Sequence, residues 1–136
     1  MMNTLALNIV TPNGSVYTTD QAELIVLQTE TGEMGVMAGH IPTVAPLKIG
    51  AVRATVSGKQ HYVAVSEGFA EIRPTGVSVL VQSAEQSDEI DIERAKASLS
   101  RAEERMSADK QENVDYHRAE KALHRAMNRI DVAKFR

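Results

Sequence analysis

The chain has 136 residues, a formal charge of −3, no cysteine and 4% aromatic residues. Without thiols neither a disulfide framework nor a thiolate metal site is possible, and the acidic balance supplies no global basic field for nucleic acid or an anionic lipid surface. The length suits one ordinary domain, or a small domain with an appendage, and is enough to bury a core. The first ten residues lack the basic region and continuous apolar stretch of a signal peptide, and no run approaches the roughly 20 apolar residues of a spanning helix. The expectation is a soluble chain that reaches a membrane only through a partner.

From Leu5 the chain runs in short apolar stretches bounded by turn residues. Residues 5–10 and 22–27 read as strands, and Thr11-Pro12-Asn13-Gly14-Ser15 is a turn leading to a short strand at Val16-Tyr17-Thr18. Further strands are expected at 44–49, 51–56, 61–65, 69–72 and 77–81, punctuated by Gly50, Ser57-Gly58, Glu67-Gly68 and Pro74-Thr75-Gly76. Short strands with frequent turns point to an antiparallel sandwich or flattened barrel with an aliphatic core. The segment from Thr31 to Pro42 breaks this rhythm. Its glycines at 32, 35 and 39 predict an ordered loop with positive φ or close chain approach. It lacks the Lys-Ser/Thr ending of a P-loop. His40, beside Pro42, reads as a structural group bonded to backbone, with catalysis as the competing reading. Glu33 reads as a solvated charge.

The text changes at Ile90-Asp91-Ile92-Glu93-Arg94-Ala95. All eight glycines and all four prolines precede it. Residues 1–86 hold seven acids and four bases, whereas 87–136 hold eleven of each sign, a composition of solvated, ion-paired helices. Ile92, Ala95, Leu99, Ala102 and Met106 form one apolar stripe; Ala119, Ala122, Leu123, Ala126, Ile130 and Ala133 form another. Asp88 or Asp91 is placed to cap the first helix, and the polar stretch 107–113 to connect the two, with Asn113 or Asp115 restarting the helix. An antiparallel helical hairpin follows, with the boundary at 86/87. Alanine buries little apolar area, so the seam is marginal and the hairpin a candidate two-state element.

Arg94 and Arg101 are seven apart, with Arg105 one turn later, and Arg125 and Arg129 are four apart. In an antiparallel hairpin these guanidiniums converge, and their planar fork matches phosphate. The competing reading is a solvated face with i,i+4 ion pairs. His117 and His124, seven apart, lack further ligands at chelating spacing. No nucleophile, zinc or Walker motif is present, so no catalytic site is expected.

The whole pattern resembles the epsilon subunit of bacterial F-type ATP synthases. Its carriers are Gly32-Glu33-Met34-Gly35-Val36 with Gly39-His40-Ile41-Pro42, Glu67-Gly68-Phe69, Ile90-Asp91-Ile92-Glu93-Arg94-Ala95, and Arg125-Ala126-Met127-Asn128-Arg129. The resemblance implies a β-sandwich of about ten strands followed by a two-helix hairpin, a non-catalytic rotor part at the cytoplasmic face of the cell membrane. It implies that the sandwich binds the gamma subunit and rests on the c-subunit ring through Glu33. The hairpin would switch between a folded form and an extended form that enters the alpha/beta head and restrains ATP hydrolysis. There Arg118, Lys121, Arg125 and Arg129 would meet the beta subunits. By resemblance to ATP-binding members, Glu85, Ile90, Asp91, Arg94, Ala95, Arg101, Arg125 and Arg129 would hold ATP as a regulatory ligand, with no catalytic cofactor. The connection near 108–113 departs from that pattern by one extra residue. A structural adaptor without ATP sensing, or a small sandwich enzyme using His40, are the alternatives.

Overall fold

The computed structural model describes residues 3–108 and 113–135, and the side chains of 108 and 113–115 lie outside the description. Nine strands come first: β1 Leu5–Thr11, β2 Gly14–Thr29, β3 Gly32–Val36, β4 Thr43–Leu47, β5 Gly50–Val56, β6 Lys59–Val65, β7 Gly68–Arg73, β8 Gly76–Val81 and β9 Ala84–Gln86. A single 3-10 turn, Ser87–Glu89, leads to helices α1, Ile92–Ala108, and α2, Asn113–Ala133.

β2 is the strand common to both halves of the sheet. Its first half pairs with β1 (Leu7 opposite Thr19), and its second half pairs with β5 (Ile25 opposite Ala54) and β3 (Leu27 opposite Met34). The separate strands expected at 16–18 and 22–27 are therefore one, because Asp20 and Gln21 turn no corner where Gly or Pro is missing. The neighbouring strands run antiparallel with one exception. β1 lies parallel to β8, Leu7 opposite Val77, a pairing that only a long crossover permits.

Half of the expected loop at 31–42 is strand β3. Met34 packs on the core and Val36 is fully buried, while Glu33 and Gly35 face out. This alternation of period two was masked by the glycines. Gly32 and Gly39 do adopt positive φ, +132° and +89°, whereas Gly35 does not.

The core follows from the same alternation. Leu5, Leu7 and Ile9 of β1 meet Ile25 and Leu27 of β2, Val52 of β5, Ile72 of β7 and Val79 of β8, all at 2% exposure or less. Each such side chain contributes about 1.5–3 kcal/mol on burial. Tyr17 is the one aromatic residue in that buried cluster.

The helices pack through alanine. Ala95 and Ala102 of α1, with Ala119 and Ala126 of α2, are at most 2% exposed, while Leu99, Met106, Ala122, Leu123 and Ile130 are half-buried. A small-residue seam brings the antiparallel helices close but excludes little apolar surface. The connection, where one extra residue was expected, falls at 109–112, outside the described residues. The end of α2 docks on the sandwich: Val132 and Ala133 form a second cluster with Ile90 and Ala64, flanked by Ala51, Tyr62 and Ile92. Asn128 Nδ2 donates to Gly50 O at 2.8 Å.

Candidate functional site

β9 is a three-residue strand on the edge of β6, and its register places Glu85 opposite Ala64. That edge faces the hairpin across a cleft of about 550 Å³. Arg94, Arg101 and Arg105 of α1 line it, with Arg125 and Arg129 of α2 and Glu85 of β9. Among the described residues, five guanidiniums thus surround a cavity whose lining holds a single carboxylate. Arg129 is the committed one. Its Nε donates to Glu85 Oε1 at 2.5 Å and its Nη2 to Oε2 at 3.4 Å, with side chains 21% and 36% exposed. Arg101 Nη2 donates to Ser98 Oγ at 3.0 Å. Among the described residues Arg94, Arg101, Arg105 and Arg125 form no ion pair. The competing picture, a face neutralised by i,i+4 carboxylates, does not describe Arg94, Arg101 and Arg125 among the described residues.

Such a cleft can do one thing well: hold a polyanion. Guanidinium stays charged at all accessible pH and gives two parallel donors to a phosphate. Ser66, Ser83, Ser98 and Asn128 add polar groups to the wall, and Ala64, Ala102 and Ala126 give it an apolar floor.

Of the residues expected at the ligand, Glu85, Arg94, Arg101, Arg125 and Arg129 are brought together. Ile90, Asp91 and Ala95 do not line the cleft. Ile90 is 1% exposed in the cluster beneath the end of α2, and Ala95 is fully buried in the helix seam. Asp91 Oδ1 accepts from the Arg94 amide at 3.0 Å, which makes it the cap of α1. These three shape the scaffold that aims Arg94. Arg105 joins the cleft one turn beyond Arg101, and the spacing of 94, 98, 101 and 105 along one helical face was the signal for both it and Ser98.

Two family models match the chain: ATP synthase, Delta/Epsilon chain, beta-sandwich domain over residues 4–87, and the long alpha-helix domain of the same chain over 88–134. The ATP synthase epsilon chain of Macrococcus caseolyticus (strain JCSC5402) is 73% identical over 136 residues, covering 99% of this chain and 100% of that one. The chain belongs to the ATP synthase epsilon family. It is therefore a non-catalytic subunit, part of the central stalk of an ATP synthase. The epsilon chain of Staphylococcus aureus (strain JH9) is 57% identical over 105 residues, 77% of this chain and 78% of that one. A chain of the Euglena gracilis mitochondrial ATP synthase, solved as OSCP/F1/c-ring, superposes with a TM-score of 0.78 at 25% identity, covering 92% of this chain and 78% of that one. A chain of the Tetrahymena thermophila central stalk and c-ring shares the fold at a TM-score of 0.58 and 11% identity.

The remaining residues singled out by the epsilon resemblance lie apart from the cleft. Glu33 is exposed at the start of β3, its Oε2 accepting from Gln28 Nε2 at 3.0 Å. Arg118 and Lys121 are exposed on α2, with Lys121 Nζ 3.3 Å from Glu67 Oε2. His40 Nδ1 lies 2.7 Å from the Ile41 carbonyl oxygen, so its ring is committed to backbone, and the family assignment leaves no role for it as a catalyst. His117 stands edge-on to Tyr116 at 6.1 Å, and His124 lines a separate cleft beside Lys121 and Glu67. No helix among the described residues is long and apolar enough to cross a membrane.

Proposed function

We propose that this epsilon-family chain couples the gamma subunit to the c ring of a proton-translocating ATP synthase, and that its hairpin is a brake on ATP hydrolysis held folded by ATP. The observation that carries the sensing half is the convergence of Arg94, Arg101, Arg105, Arg125 and Arg129 on one cleft. Its volume falls in the range of about 300–1,000 Å³ usual for small-ligand sites. The guanidiniums would hold the triphosphate, and Glu85 would supply an acceptor. Arg125 and Arg129 carry the switching logic. In the extended form these two, with Arg118 and Lys121, would face the beta subunits of the alpha/beta head, so a ligand that engages them in the folded form removes them from the head. A ligand bound only to the folded hairpin stabilises it by RT ln(1 + [L]/Kd), and falling ATP releases the brake.

Exposed Glu33 supports the c-ring contact, and exposed Phe69 and Leu80 supply apolar surface of the kind partner subunits cover. On this reading residues 1–86 and 87–136 are separate working units. The chain sits at the cytoplasmic face of the cell membrane, held there peripherally by the complex. Calorimetric titration of the full chain with ATP tests the sensor. Saturable binding is expected, weakened about tenfold to a hundredfold in Arg94→Ala or Arg125→Ala, the loss of one charge-assisted contact. No heat at millimolar ATP, or unchanged affinity in both variants, would refute it. Co-purification with co-expressed gamma subunit tests the coupling role.

A further inference from the structure

The turn after α2 is anchored more firmly than its exposure suggests. Phe135 is 51% exposed, yet its ring stacks on Tyr62 of β6 with centroids 4.0 Å apart and planes 12° apart. Its amide donates to Val132 O at 3.0 Å, and its carbonyl accepts from Ser87 Oγ at 3.3 Å. One residue is thereby fixed at three places: its own helix, the 3-10 turn leading into α1, and the face of the sandwich. Beneath it lie Val132, Ala133 and Ile90 in the small cluster on Ala64.

Besides that cluster and the Asn128 bond to Gly50, α2 is attached to the sandwich, among the described residues, by two ion pairs. The Lys121 and Glu67 side chains are 57% and 47% exposed, a pair of little worth in water. Arg129 on Glu85 lies inside the cationic cleft, so an anion there competes for it. The ring stack lies outside the lining of that cleft and carries no charge.

We propose that the Phe135–Tyr62 stack is a ligand-independent latch that sets how far the hairpin is docked before any anion binds. The inference rests on reading the hairpin as a mobile element. Geometry gives the latch leverage over both helices. Phe135 closes the end of α2, while Ser87, bonded to its carbonyl, stands three and four residues before the Ile90 and Asp91 that root α1. Opening the stack frees the end of one helix and the base of the other together.

Hydrogen–deuterium exchange of α2 amides in the full chain without nucleotide tests this. Phe135→Ala and Tyr62→Ala should each speed exchange about twofold to tenfold, the range expected of an aromatic pair. The double variant should fall short of the sum of the two single effects, since both remove the shared stack. Phe135→Tyr should behave as the parent, and amides of β1 and β8 should not change in any variant. Unaltered α2 exchange in Phe135→Ala, or additive effects in the double variant, would overturn the latch. Adding ATP to the parent separates the two readings. Faster exchange in Phe135→Ala with no ATP effect leaves the latch standing and removes the sensor; protection by ATP with no effect of Phe135→Ala does the reverse.

Discussion

Asp91 shows how one side chain can set the direction of another through the backbone. Its carboxylate accepts from the Arg94 amide, so it fixes the first turn of α1 and with it the direction in which Arg94 leaves the helix. Asp91→Ala should lower the stability of the hairpin by about 1 kcal/mol, and Asp91→Asn should lose little of it, because asparagine caps almost as well. Guanidinium denaturation followed by helical circular dichroism measures both. Tyr17 supports a second prediction. It is buried at 9% exposure, bonded at 3.0 Å to His61 Nδ1, and burial raises its phenol above the ordinary value of 10.0. The folded state therefore holds the proton more tightly than the unfolded one. Stability from this group is complete below the unfolded value and falls as pH rises past 10. Melting curves between neutral and strongly alkaline pH should show that fall, and Tyr17→Phe should flatten it. At this scale much was legible: the arginines are named by their spacing. The choice between Asp88 and Asp91 as cap was not, since both precede an apolar stripe and only the realised 3-10 turn at Ser87–Glu89 decides it.

Among elements, the hairpin seam is the most exacting. Ala95 and Ala119 are buried at 1% or less and lie outside the lining of the cleft, so no volume is left there for a larger side chain. Ala119→Leu should force the helices apart at a cost of about 1–3 kcal/mol. Since the guanidiniums on both sides of the cleft depend on that spacing, anion affinity should fall with it. Faster exchange in α1 and α2 with an unchanged β core would be the signature. Elements with a plain period were readable, as with Leu5, Leu7 and Ile9 in β1 or the alanines of α1. β3 was hidden because Gly32 and Gly35 occupy its outward or edge positions, leaving only Met34 and Val36 to mark the alternation. β9 is three residues long, Ala-Glu-Gln, with no apolar pattern to detect. It exists because β6 offers it an edge, and it matters because it carries Glu85.

For the whole molecule, the main aliphatic cluster draws on β1 to β8 and includes nothing from α1 or α2. A chain ending after Gln86 should therefore still unfold in one cooperative transition. Its melting temperature should be reduced by about 4–8 °C for each kcal/mol lost with the contacts of Ile90, Val132 and Ala133. Loss of the cooperative transition would show that the helices hold the sandwich together. The two-part organisation was visible in the sequence as the switch from alternation to helical spacing at Ile92. The parallel neighbour of β1 was not, because no local pattern reports which strand will return beside it.

That pairing imposes a timetable on the making of the protein. β1 leaves the ribosome early, yet its partner β8 ends at Val81, so at about 5–20 residues per second one flank of β1 waits about 4–15 s for its neighbour. Through that interval the nascent sandwich carries an open edge on Leu7 and Ile9, the time at which a chaperone or another nascent chain has most opportunity to engage it. The hairpin follows β8 in the chain and is made last. Its local contacts can then form and reopen in the finished protein without reversing the slow step.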